Sequence, residues 1–284
     1  MRQVIITAVD FGLAVPVNEA VEIANRDGVL GGASLMVAAD GAADAVARAR
    51  RLPTLRVGLH VVVVDGRPAM APAAIPGLVD ATGRLRSELL RTSLRIFFLP
   101  SVRRQLRAEV RAQFEAFRAT GLPLDHVNTH HHMHLHPTVL SAILEVAPEF
   151  GVRAVRLPRE PLSAARRRSL RQRLLTVARN AFHAPWLALM RWRLRRAGIR
   201  CNGYVLGLSD DGAMGESTVL RLVDALPEGV TEFYFHPATS SASRAPLPRP
   251  ADRHVAELRA LCSARVRAAL DVAGAVRMGF GELR

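Results

Sequence analysis

Between Asp125 and Pro137 the chain reads D-H-V-N-T-H-H-H-M-H-L-H-P, which places six of its ten histidines within eleven residues. Neutral imidazole is the commonest protein ligand for transition metals. Packing accounts poorly for such a density, because each buried ring nitrogen needs a hydrogen-bond partner. An exposed metal-scavenging tract also fits poorly, since Val127, Met133 and Leu135 interleave with the rings. Asp10, His60 and one histidine of the cluster would supply a carboxylate and two imidazoles. That set leaves positions open for water and substrate, as a catalytic metal site requires. Such a site yields hydroxide near neutral pH and polarises a carbonyl oxygen. His236, in Phe235-His236-Pro237, is placed to act as general acid toward a leaving amine. Taken singly, each has a plainer reading: an aspartate after a strand caps a helix or turn, and His60 alone is a satisfied core histidine.

These groups are far apart in sequence and need a frame that gathers them. Short β-rich runs alternate with helical stretches, which predicts a parallel α/β architecture. Strands are expected over residues 4–8, 33–37, 56–64, 124–129, 154–157, 204–208 and 231–235, with a further short one at 276–280. Helices are expected over 16–27, 41–51, 102–120, 137–150 and 216–225, and one long final helix over 252–273. A Gly/Pro-rich excursion, 65–100, interrupts the rhythm. Strand–helix units in this number, without a GxGxxG fingerprint, indicate a barrel rather than a dinucleotide-binding sheet. In a barrel the chemistry gathers at the C-terminal ends of the strands. Asp10, His60, His130 and His236 all fall at or near such ends.

Composition sets the outer bounds. An apolar content of 49% over 284 residues excludes disorder and permits a large core. Cys201 and Cys262 make neither a disulfide framework nor a cysteine zinc site. No uninterrupted apolar run reaches about 18 residues, so no transmembrane helix is expected. The N-terminus runs directly into a strand without a signal-peptide core, so a cytosolic location is expected. All 39 basic residues are arginine, which rules out a Schiff-base or P-loop lysine.

The net charge of +14 is concentrated: residues 161–200 carry eleven arginines and no acid, together with both tryptophans. Leu170, Leu174, Val177, Ala178 and Ala181 recur there at helical spacing. An interfacial helix at an anionic membrane has this composition; a solvated helical pair docked on the core is the alternative. Nucleic acid is attracted by the same charge, but no recognised motif accompanies it and none is expected as a partner.

Several segments together carry a family resemblance: Thr7-Ala8-Val9-Asp10-Phe11-Gly12-Leu13, Asn18-Glu19-Ala20, Ala33-Ser34-Leu35-Met36-Val37, Gly58-Leu59-His60-Val61, the run from Asp125 to His134, and His236-Pro237. Through them the chain resembles the YdjC-like carbohydrate deacetylase family over nearly its whole length. Val155-Arg156-Leu157-Pro158-Arg159-Glu160-Pro161 and the Arg-rich insertion resemble the branch associated with hopanoid biosynthesis. The resemblance implies an irregular seven-stranded (β/α), TIM-like barrel. Residues 1–284 would form a single domain with insertions at about 65–100 and 161–200. It implies metal-dependent removal of an acetyl group from an N-acetylated sugar, the substrate of the hopanoid branch being a lipid-linked N-acetylglucosamine. It places one divalent ion (zinc, magnesium or another transition metal) on Asp10, His60 and His130. His132 and His134, expected on the same strand face at period two, are then substrate or supporting contacts, with Asp125, Arg156 and Arg159. The two arginines orient substrate or pair with Glu160. A peripheral position on the inner face of the membrane, through 161–200, is expected.

The chain departs from the family at Val9. Two consecutive acids stand there in the family motif, the first being its catalytic base, and valine can neither accept a proton nor bind metal. Three explanations compete: a natural loss that leaves a binding protein, a deliberate inactivating change, and a base recruited from Asp125 or the spare histidines. Among other classes, one carboxylate with two histidines is also the facial triad of non-haem iron oxygenases, against which the expected barrel topology counts. A catalytically silent, membrane-associated binding protein is the second rival.

Overall fold

The computed structural model describes residues 1–165, 170–239 and 250–284. β1 (Arg2–Phe11) is its spine, with Val4, Ile5, Ile6, Ala8, Val9 and Phe11 all buried, as a central parallel strand requires. On one side lie β2 (Gly32–Leu35), β3 (Arg56–Val61) and β4 (Val127–Thr129). On the other lie β5 (Tyr204–Leu206) and β6 (Gly229–Phe235), giving the order β4-β3-β2-β1-β6-β5 with every pair parallel. A short β7 (Ala275–Arg277) pairs with the first residues of β1.

The helices are α1 (Val15–Asp27), α2 (Ala42–Ala49), α3 (Leu89–Phe98), α4 (Pro100–Ala119), α5 (Pro137–Val146), α6 (Leu170–Arg196), α7 (Glu216–Asp224), α8 (Ala251–Leu261) and α9 (Ala264–Val272). Helix α1 shows the local logic. Pro16 sits in its first turn, and Val17, Ala20, Val21 and Ala24, at spacings of three and four, bury one face. The main apolar cluster joins Phe11, Leu35 and Leu59 of the sheet to Phe114 of α4 and to Phe233 and Phe235.

The parallel α/β architecture is as expected, but the sheet curls into a half-barrel and does not close into the expected irregular seven-stranded barrel. Where a strand was expected over 154–157 there are only single bridges, Val127 to Val155 and Ala154 to Arg200. A side chain distant in sequence takes the place of a ladder: the Asn202 carboxamide accepts from the Leu157 N–H at 2.8 Å and donates to the Leu157 carbonyl at 3.0 Å. Pro158 then removes the next donor. The expected long last helix is two, because the Ser263 hydroxyl accepts from the N–H groups of Arg265 and Val266 and starts α9 afresh. The excursion at 65–100 carries α3, and the Arg-rich segment carries one helix, α6, with Pro185 inside it. Among the described residues no helix is long and apolar enough to cross a membrane.

Candidate metal centre

Asp10, His60 and His130 converge at the C-terminal ends of β1, β3 and β4. Asp10 Oδ1 lies 3.3 Å from His60 Nε2 and 3.2 Å from His130 Nδ1, and the two ring nitrogens are 3.3 Å apart. A cation held at about 2.0–2.2 Å by each of three tetrahedral donors sets them roughly 3.3–3.6 Å apart. The triangle therefore fits such an ion. Asp10 Oδ1 is buried and has no hydrogen-bond donor among the described residues, which is the condition a cation would relieve.

Each ligand is held from behind. A register shift in the β1–β2 pairing between Ala8 and Phe11 re-aims Asp10, whose φ of 59° an aspartate tolerates. The turn that follows is fixed by Asn18, which accepts from the Gly12 N–H at 2.8 Å and donates to the Gly41 carbonyl at 2.9 Å. Gly12 is required: its φ is 95°, and a Cβ would stand 3.0 Å from the Met36 carbonyl oxygen. The backbone after His60 is clasped by α4, where Gln113 accepts from the Val62 N–H at 2.8 Å and donates to the Val62 carbonyl.

His60 itself ends a buried chain of hydrogen bonds. The His126 ring donates from Nδ1 to Asp125 at 2.9 Å, so its Nε2 accepts from the Ser34 hydroxyl at 2.9 Å. Asn128 donates to Ser34 at 2.8 Å and accepts from His60 Nδ1 at 2.6 Å. With its proton on Nδ1, His60 presents the Nε2 lone pair to the centre. Gly58 makes room for this chain, since a Cβ there would lie 2.5 Å from the His126 ring. Replacing Asn128 by leucine is expected to weaken zinc binding about 10–100-fold, measured by calorimetric titration. Unchanged affinity would show that the chain does not orient His60.

The electrostatics suit a ligand set. Burial pushes the Asp10 carboxyl up, but the pull of His130, His60 and His236 holds it well below the carboxylate range. Burial lowers His60, keeping it neutral as a ligand must be. A more exposed group, Asp65, His130 and His131, also comes together beside the centre.

The other expected site residues scatter. The histidine run is not a strand: residues 130–135 form a 3-10 turn with left-handed φ at His131 and His132, so period two does not apply. His134 is wholly buried, with the Thr129 hydroxyl at 2.6 Å from its Nδ1, and burial and Arg156 push it down to about 3. Its backbone N–H also donates to the Thr129 hydroxyl at 2.9 Å, which ties the turn to the end of β4. His132, lowered by burial and by Arg156, lies edge-on to Tyr234. Arg156 does not pair with Glu160. It is 1% exposed and donates from Nε to Glu232 Oε2 at 2.7 Å, inside the curl of the sheet. Glu160 accepts instead from Ser209, and Arg159 lies over the Tyr204 ring. Asp125 stands before β4, at the end away from the centre, where it also accepts from the Gly281 N–H. It cannot be the recruited base.

Val9 is 2% exposed and packs with Val205 and Tyr234. His236 follows β6. Its backbone N–H donates to Glu257 and its carbonyl accepts from His254, both on α8. Its Nδ1 lies 3.4 Å from Asp211 Oδ1. Asp211 was not anticipated, although the acidic pair Asp210-Asp211, shortly after a strand, was its signal.

The profile of the YdjC-like protein family matches residues 3–272. A carbohydrate deacetylase of Brevibacillus brevis is 38% identical over 156 residues, which cover 55% of this chain and 59% of the relative. One from Thermoanaerobacter pseudethanolicus is 25% identical over 241 residues, covering 84% and 82%. The chain spans about three fifths of the length of the first curated relatives it matches. Among solved structures, a protein of Enterococcus faecalis named for cellobiose-phosphate cleavage superposes with a TM-score of 0.77 at 23% identity. The match covers 98% of this chain and 97% of that one, a likeness of fold.

Proposed function

We propose, from the premise that this chain belongs to the YdjC-like protein family, that it is a metal-dependent hydrolase removing the acetyl group of an N-acetylated sugar. The observation that carries this reading is the convergence of Asp10, His60 and His130 on one point at the strand ends. The names of the relatives, carbohydrate deacetylases, support the substrate class. In this reading the whole chain is one deacetylase-like domain working at the inner face of the membrane. The substrate is an N-acetylglucosamine joined to a hopanoid lipid, reached through contact of residues 161–200 with the bilayer.

Asp10, His60 and His130 would hold one divalent cation, which when bound supplies Lewis acidity toward water and the acetamide carbonyl. His236 holds the proton for the departing amine. Its place is fixed by Glu257 and His254 on the backbone, and Asp211 lies within reach of Nδ1. Tyr234, with its ring 5.5 Å from that of His236, walls the site beside Val9. Position 9 offers no proton acceptor, and a positioned base contributes on the order of 10²–10⁴ in rate, so the activity is expected to be impaired. Val9 also favours a second reading, a silent binding protein on the same scaffold.

Release of acetate from an N-acetylglucosaminyl lipid, measured with zinc present, separates the two. Slow release that stops on chelation is expected. No release, even after an acid is restored at position 9, would leave the binding protein.

A further inference from the structure

Of the twenty large apolar side chains exposed among the described residues, fourteen lie in two places, residues 89–99 and helix α6. Leu90, Leu94 and Phe98 stand out from α3 and its end, and Leu174, Phe182 and Trp192 from α6. Both stretches are free of acid: residues 89–108 hold five arginines, and 161–200 hold eleven. Arg91 and Arg104 are exposed on the first, as are Arg171, Arg173, Arg195 and Arg196 on the second. Both helices also reach the same part of the molecule. The Phe97 ring lies 5.9 Å from that of His136, at the end of the histidine turn. Arg193 of α6 donates to the Pro137 carbonyl at 3.0 Å and to the Ser141 hydroxyl at 2.9 Å.

We propose that α3 and α6 together form a docking face for an anionic lipid surface, and that this face brackets the turn carrying His130. Leucine, phenylalanine and tryptophan enter the boundary between headgroups and acyl chains, while arginine stems lie along it with their guanidinium groups at the phosphates. Charge decides the occupant. A second copy of the chain would set arginine against arginine, whereas anionic headgroups complement both stretches. The proposal deepens the glycolipid reading and rests on it for its purpose: a bilayer met through these helices delivers a lipid-borne sugar beside the metal centre.

The test is co-sedimentation of the full chain with vesicles of phosphatidylcholine and phosphatidylglycerol in equal parts, against phosphatidylcholine alone. Retention at least about tenfold greater on the anionic vesicles, weakening with salt, is expected. The double variants Leu94→Glu/Phe98→Glu on α3 and Trp186→Glu/Trp192→Glu on α6 should each lower that retention about tenfold or more. Thermal melts in the native range would show that both fold. An α3 variant that binds like the unmodified chain overturns the two-helix face, and equal binding to both vesicle types overturns the choice of partner. A dimer in sedimentation, lost in both variants, would assign the face to a second copy and overturn the proposal as well. Acetate release from a water-soluble N-acetylglucosamine oligosaccharide, assayed in parallel, reports separately on the chemistry. Its absence beside intact vesicle binding would support docking while the hydrolase reading fails.

Discussion

An acid restored at position 9, Val9→Asp, is expected to raise acetate release by about 10²–10⁴-fold, the range that a positioned proton acceptor contributes. The geometry puts this position at the site. Val9 adjoins the ligand Asp10, is buried, and packs on Tyr234, whose ring is 5.5 Å from both His132 and His236. A base there would share a wall of the site with the intended proton donor. The gain has a cost. Val9 packs with Val205, Tyr234 and the partly buried Leu208, so a carboxylate would lose apolar contact and add a second negative charge beside Asp10. The variant should therefore melt lower than the unmodified chain in chelator, and recover most of that loss when metal is added. Val9→Asn is the control, since it carries much of the packing loss but no basic oxygen. Rates are compared at saturating metal. Equal gains from Asn and Asp would mean that polarity, not proton transfer, limits the reaction, and the base assignment would be wrong.

What the sequence could and could not reveal divides by the range of the interactions. Asp10, His60 and a histidine of the cluster were legible as candidates because rare polar types stand at the ends of apolar runs, and parallel strands bring those ends together; the choice of His130 within the cluster came only with the family resemblance. Helix α9 was also legible in principle, since Ser263 is a strong cap. By contrast, the loss of a strand at 154–157 depends on Asn202, 45 residues from Leu157. The partner of Arg156 is Glu232, 76 residues away, whereas the adjacent-seeming Glu160 turns to Ser209. Backbone signs fared no better: nothing in H-H-H-M-H marks the left-handed residues His131 and His132 that break the strand-like alternation. Support for the ligands was hidden for the same reason. Ser34, Asn128 and His126 become one chain only after β2, β3 and β4 are in register, with His60 opposite Asn128.

Loss of a ligand is the other large effect expected. The chain should bind one zinc ion per molecule, and His60→Ala should weaken that binding about 10²–10³-fold. The magnitude follows from structural zinc sites, where four ligands give roughly 10–16 kcal/mol, or about 2.5–4 kcal/mol for each. Asp10→Asn should do the same, because an amide keeps the shape but not the charge. Metal that binds the folded chain alone raises its stability by RT ln(1 + [L]/Kd), about 2.7 kcal/mol at a hundred times Kd. The thermal midpoint of the unmodified chain should therefore rise with added zinc and fall back with chelator, while both variants show only a small fraction of that shift at the same zinc concentration. The difference between the two conditions is the deciding quantity, since it cancels whatever either substitution does to the metal-free fold. Two imidazoles and one carboxylate also rank the ions: zinc, cobalt or nickel should shift the midpoint more than magnesium, which prefers oxygen donors and retained water. Variants that keep the full zinc shift would place the ion elsewhere, the Asp65, His130 and His131 group being the next to test. His131→Ala separates the two, because only that group contains His131.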